Sequence, residues 1–335
     1  MTDPLRTAIC DRFGLTTPIF VAAMGACTNA RLSAAVGEAG GLGTIGVTGQ
    51  GYDGTARHLS ETKALTNRAF GVGLLVAPEF DVEAELRAIE DNPPPVVCFF
   101  WGDVETFVPR VHAAGSRVLV QVGSVQEALR AAAAGADIIV AQGFEAGGHV
   151  RGTLSTLALV PQVVDAVGDI PVLAAGAISD GRGLAAALCL GAQGAWMGTR
   201  FLAAAETDIH PHYRQRVIDA ASKDTIHSTI YDIGWADAPA RTLRNTTTDE
   251  WQAAGQPPSG KRPGEGECVV TRADGYEMRR YQPFVAQASA SGDIEAAPLW
   301  AGQGVGMVHE IEPASAIVNK ISAQARAILS PIGSS

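Results

Sequence analysis

Short apolar runs, many of them β-branched, recur through the first 201 residues. They are Pro18–Met24 (PIFVAAM), Gly43–Val47 (GTIGV), Phe70–Val76 (FGVGLLV), Val96–Gly102 (VVCFFWG), Arg117–Gly123 (RVLVQVG), Asp137–Gly143 (DIIVAQG), Pro171–Ile178 (PVLAAGAI) and Ala195–Phe201 (AWMGTRF). These eight runs are near-continuously apolar instead of alternating, as in parallel strands covered on both faces. Their spacing, roughly 20 to 35 residues, is that of a βα unit. Helical patterns fill the gaps. Asn29–Gly41 has apolar positions at helical period and ends in two glycines. Asp81–Pro95 starts on a cap residue and stops at three prolines. Ser124–Ala136 and Asp180–Ala192 each open on a cap residue and close on glycine. Eight strands alternating with helices predict an α/β fold, a (β/α)8 TIM barrel.

A doubly wound sheet is the competing fold. Its usual mark is GxGxxG after the first strand. Here Gly41–Gly46 (GLGTIG) lies at a helix end and runs into a strand, the reverse of the dinucleotide context. Gly255–Lys261 (GQPPSGK) imitates a phosphate loop, but Arg262 replaces the required Ser or Thr.

The text changes after Glu206. From Thr207 to Trp300 it is polar, charged and richer in Pro, Trp and Tyr. Helical pieces are predicted at His212–Lys223 and Tyr281–Gly292, divided by the proline-rich loop Gln256–Glu267. Pro313–Leu329 then reads as one long amphipathic helix. The predicted organisation is barrel strands over 1–206, a mainly helical cap inserted over 207–300 between the last strand and the last helix, and a return segment with the final barrel helix over 301–335. Such an insertion sits over the barrel face that carries active sites.

Length agrees with this reading. One α/β barrel takes roughly 250 of the 335 residues, and the surplus is cap-sized. Apolar residues at 47% support a large core, and charged residues at only 18% argue against disorder. The net charge of −10 excludes a general phosphate-backbone binder, so no nucleic-acid partner is expected. No run approaches the roughly 20 apolar residues of a membrane span. Five scattered cysteines without a CxxC pair read as reduced thiols in a cytoplasmic protein. No His, Cys, Asp and Glu spacing suits a metal. The sequence leaves the oligomeric state open, a homodimer included.

In a barrel, chemistry gathers just past the C-terminal ends of the strands. The loop after the sixth strand holds His149 among four glycines, a setting for a general base. The loops after the seventh and eighth strands carry Gly176 and Gly198–Thr199, where this fold usually binds phosphate. Asp180 reads as a helix N-cap. Arg182 and Arg200 suit either a phosphate or a rim ion pair. Trp235, Trp251, Tyr276 and Tyr281 suit either the pocket wall or the cap core.

Three strings carry a resemblance: Ala141–His149 (AQGFEAGGH), Pro171–Ala192 (PVLAAGAISDGRGLAAALCLGA) and Trp196–Phe201 (WMGTRF). They resemble the nitronate monooxygenase family, once called 2-nitropropane dioxygenases, which are FMN enzymes on a TIM barrel. Met24–Gly43, Ile230–Asn245 and Trp300–Ala314 extend the likeness over most of the chain. The resemblance implies FMN as cofactor, and an alkyl nitronate or nitroalkane plus dioxygen as substrates. The products would be a carbonyl compound and nitrite. It makes His149 the catalytic base or the group that holds the nitronate. It places Ala22, Ala23 and Met24 against the flavin ring, and Gln121, Gln142, Gly147 and Gly148 among the flavin contacts. Gly176, Trp196, Met197, Gly198 and Thr199 would surround the phosphate.

The sequence departs from the family at several points. Gly71–Gly73 (GVG) stands for GVN, Ala174–Ala177 (AAGA) for AAGG, and VAAMG for the usual APM at the first strand end. The alternative function is an NAD(P)H-dependent flavin reductase acting on quinones or an enoyl thioester. A flavin-binding module without catalysis is the reading from a different class.

Overall fold

The computed structural model describes residues 3–330. Eight parallel strands form the barrel: β1 (Ile19–Val21), β2 (Gly43–Gly46), β3 (Phe70–Leu75), β4 (Val96–Phe100), β5 (Arg117–Val122), β6 (Ile138–Gln142), β7 (Val172–Ala175) and β8 (Gly194–Met197). They are ordered β1-β8-β7-β6-β5-β4-β3-β2. A parallel bridge from Phe20 to Leu42 brings β1 against the start of β2 and closes the ring. The chain is therefore a TIM barrel, as the recurring apolar runs predict.

Two apolar layers account for those runs. Phe20, Cys98, Leu119, Val140, Leu173 and Trp196 fill the barrel interior, with Ile9 of the helix Ala8–Phe13 packed against them. Val21, Val72, Val97, Val120, Ile139 and Met197 face outward against the helices. Neighbouring residues of one strand thus enter different layers, and both layers are dry. The helix starts follow local chemistry: the side chains of Asn29, Ser124 and Asp180 each accept a backbone N–H of the helix they precede. The final helix, Ala314–Leu329, lies against the helices Gly181–Cys189 and Ala30–Glu38.

Between β8 and that helix the chain builds a cap with its own core, including Tyr213, Leu243, Val270, Met278 and Leu299. Its helices are Pro211–Asp219 and Thr246–Ala253. Short strands accompany them. Ala240–Leu243 is the middle strand between Thr225–Ser228 and Gly148–His149 of the barrel, and Cys268–Thr271 pairs with Glu277–Arg279 and Ser291–Gly292. The predicted helix over 281–292 does not form. Pro283 lacks an N–H and disfavours helical backbone at Gln282, and Tyr281 is left-handed with φ +74°. Residues 331–335 of the predicted return segment lie outside the described residues. Among the described residues, no helix is long and apolar enough to cross a membrane.

Candidate active site

His149 sits where barrel and cap share a sheet. Gly148–His149 follows the β6 loop and pairs with Arg241 and Ala240 of the cap. The imidazole Nδ1 lies 3.3 Å from the Ala238 carbonyl oxygen. A carbonyl only accepts, so this bond assigns the proton to Nδ1 and the lone pair to Nε2. Three indoles surround the ring, with centroids at 4.0 Å for Trp235, 5.2 Å for Trp300 and 5.8 Å for Trp101. Burial among them pushes the imidazole pKa down to about 4, against the raising effect of the Ala238 carbonyl. At neutral pH the histidine is uncharged.

Gln142, at the end of β6, secures the same residue from below. Its Nε2 donates to the His149 carbonyl at 2.9 Å. Its Oε1 is buried without a partner, an acceptor still to be satisfied.

A bare rim follows the ends of β1, β7 and β8. Ala22, Ala23 and Met24 are half-buried just past β1, and the Ala22 amide donates to the Met197 carbonyl. A Cβ at Gly198 would stand 3.5 Å from Met24 Sδ and 3.6 Å from Ala22 Cβ. Gly176 has φ +111°, and a Cβ there would come within 2.6 Å of Thr156 Oγ1. Only glycine meets both conditions. Among the described residues, the Gly176 and Ala177 amides find no protein acceptor. Two such N–H groups beside the helix start at Thr199 can receive a phosphate.

The remaining predicted positions divide. Thr199 lies on the rim, where its Oγ1 accepts from the Gly302 amide at 2.9 Å. Trp196 and Met197 belong to the barrel by their side chains, the first inside and the second outside, so only their backbone reaches the rim. A Cβ on Gly147 would lie 2.3 Å from the Gly302 nitrogen, so this glycine lets the return segment close on the β6 loop. Gly148, with φ +72°, faces open space. Gln121, near the end of β5, lines a cavity of about 270 Å³ with Glu127, Arg151 and Trp101, the last of which also meets His149.

The open alternatives resolve by contact. Arg182 pairs with Asp180, and Arg200 with Glu312, so both are ion-paired side chains. Trp235 and Trp300 are the aromatic residues of the cap that meet His149. Trp251 donates to the Pro257 carbonyl, Tyr281 to the Pro263 carbonyl, and Tyr276 is exposed. Trp101 and Trp300 had not been singled out. Trp101 is non-glycine at φ +61°, and no sequence pattern announces that backbone.

Two of the departures from the family pattern have a local account. A Cβ at Gly73 would fall 2.2 Å from Ala23 Cβ, so residue 73 has no room for a side chain while Ala23 stands where it does. Ala177 holds a left-handed φ of +52°, a conformation that glycine adopts without strain.

The barrel thus carries one half-buried, neutral histidine near a rim whose backbone amides can receive a phosphate. The family model for nitronate monooxygenase matches residues 6–87 and 79–324, and the chain belongs to that family. A nitronate monooxygenase of Paraburkholderia phytofirmans is 31% identical, covering 96% of both chains. A (3aS,4S,5R,7aS)-5-hydroxy-7a-methyl-1-oxo-octahydro-1H-indene-4-carboxyl-CoA dehydrogenase of Mycobacterium tuberculosis is 35% identical over 74% of this chain and 69% of its own. Among solved structures, FabK from Thermotoga maritima superposes with TM-score 0.82 at 31% identity, covering 98% of this chain and 99% of its own.

Proposed function

We propose that the protein is an FMN-dependent enzyme that converts alkyl nitronates and dioxygen to a carbonyl compound and nitrite. The single observation behind this reading is His149, neutral and fixed in one tautomer beside the rim. The residues present fit FMN. The Gly176 and Ala177 amides offer donors to the phosphate, and Gly198–Thr199 supplies bare backbone beside it. Ala22, Ala23 and Met24 offer a flat apolar strip for the ring. The unpartnered Gln142 Oε1 offers an acceptor for a ring N–H. Bound there, FMN supplies the electron transfer that the side chains themselves cannot perform.

The chain's own residues do the rest. The three indoles crowd the imidazole, which keeps His149 uncharged and strengthens any polar contact made there. The Ala238 carbonyl holds Nδ1–H, so Nε2 is the atom free to accept a proton from a nitroalkane α-carbon. Once that proton has moved, the Nε2–H of the imidazolium donates to a nitro oxygen of the nitronate just formed; a nitronate supplied as such brings no proton for Nε2 to take. A positioned imidazole contributes on the order of 10² to 10⁴-fold. His149→Ala is therefore expected to retain flavin and lose turnover by that factor with nitroethane. Nitrite assay and the flavin absorbance together check it; full turnover in the variant contradicts the role.

The likeness to a carboxyl-CoA dehydrogenase favours a second reading, a pyridine-nucleotide-linked flavin enzyme acting on a thioester. Anaerobic addition of NADH without nitronate separates the two. Rapid bleaching of the flavin supports the second reading, and an unchanged spectrum supports the first.

A further inference from the structure

The sheet that carries His149 has a second face. Antiparallel partners project on the same side, so Gly148, Arg241 and His227 form one row across the three strands, with His149 and Ala240 on the other side. Arg241 is only 3% exposed, yet among the described residues no carboxylate oxygen lies within ion-pair distance of it. Its Nη2 donates to the Phe144 carbonyl at 2.9 Å and its Nη1 to Thr225 Oγ1 at 3.4 Å. Its Nε is buried with no partner. The neighbouring carboxylate, Glu145, is occupied by the amide and hydroxyl of Thr156. Beside Arg241, His227 Nε2 is also buried without a partner. The Phe144 ring lies against both groups, 4.8 Å from the guanidinium carbon and 4.7 Å from the His227 ring. Next in the row, Gly148 leaves open space where a Cβ would project.

A guanidinium stripped of water and given only neutral acceptors is an expensive feature to keep in a fold. Such a group matches a planar oxyanion, whose two oxygens meet adjacent N–H groups. We propose that Arg241 and His227 form a binding site for a small planar oxyanion, a carboxylate or nitrite, on the face of the cap sheet opposite His149. The site is separate from the flavin rim and does not depend on which substrate the enzyme oxidises.

Proton linkage sharpens the assignment. Burial and the Arg241 charge hold His227 below the usual histidine range, and a bond to the Val150 carbonyl opposes them. Arg241 is the charged group facing His227, and Glu145 is the charged group acting on Arg241. An anion between the two groups offsets the Arg241 charge and accepts a hydrogen bond from protonated Nε2. Binding therefore takes up a proton and tightens as pH falls.

The test uses the flavin-loaded full chain. Its thermal midpoint is followed against nitrite, formate and phosphate at constant ionic strength set with chloride, between pH 8 and 6. Nitrite and formate should raise the midpoint saturably, with apparent affinity tightening by up to about tenfold per pH unit. Phosphate, being tetrahedral, should act more weakly. Arg241→Met should abolish the rise. Arg241→Lys, which keeps charge and stem, should retain only part of it. His227→Phe should weaken apparent affinity about fivefold and flatten its pH dependence. The proposal is overturned by no rise in the wild type, by an equal rise in Arg241→Met or His227→Phe, or by phosphate acting as strongly as nitrite. If Arg241→Met does not fold, the Lys and Phe variants still decide it. Nitrite here is a ligand, not a measured product, so failure to oxidise nitronates leaves this outcome readable.

Discussion

His149 is held from three directions: by Gln142 through its carbonyl, by Ala238 through Nδ1, and by Trp235 against its ring. Its pKa of about 4 has two consequences. A neutral base should keep activity level from pH 8 down to about 5.5, then fall as the imidazole protonates. A profile that already breaks near 6.5 contradicts that environment. The folded-state pKa also lies below the ordinary histidine value of about 6.5. Between about 6.5 and 4 the unfolded chain therefore binds the proton that the folded chain refuses, and His149 lowers stability progressively as pH falls through that window. His149→Gln should reduce this acid sensitivity in urea titrations at pH 7 and pH 5. A second residue-scale prediction concerns Ala177. Relieving its left-handed φ with Ala177→Gly should stabilise by about 0.5–1 kcal/mol, after the entropy of an added glycine is subtracted. A lower urea midpoint in that variant contradicts the strain.

Among the elements, β1 and β3 are coupled at the rim by Ala23 and Gly73. Gly73→Asn alone forces a Cβ into Ala23 and should cost about 1–3 kcal/mol. Combined with Ala23→Gly it should cost clearly less, and a double-mutant cycle showing simple additivity contradicts the steric link. The strands themselves were legible because each is buried on both faces and so reads as an unbroken apolar run. The helix starts were legible because Asn29, Ser124 and Asp180 act within their own turn. The cap strands were not. Thr225–Ser228 and Ala240–Leu243 are four residues each; they pair with one another, and the second takes its other partner from Gly148–His149, far away in sequence. The same distance hid Trp101 and Trp300, which reach His149 only once β4, β6 and the return segment are assembled. Trp235 was legible as a candidate because the cap gathers most of the chain's Trp and Tyr residues.

At the scale of the molecule, barrel and cap are joined through the site. Cap residues 235–241 give His149 an indole, a carbonyl and a strand partner, and the return segment crosses Gly147 within van der Waals distance. The glycines that the sequence places at the barrel mouth therefore do different work: Gly147 admits the return segment, while Gly176 and Gly198 leave the rim bare. Gly147→Ala should push Gly302 off the β6 loop and weaken flavin retention. Proteolysis of the cap and flavin release, measured together, check that expectation.

The account rests on one claim, that a neutral His149 beside a bound flavin oxidises nitronates. The most direct measurement is nitrite released per dioxygen consumed by the flavin-loaded enzyme given an alkyl nitronate, in a strictly NADH-free solution. The expected result is nitrite formed in constant proportion to dioxygen, from a protein whose flavin NADH does not bleach. Flavin reduced by NADH, with no nitrite above the buffer background, would contradict it.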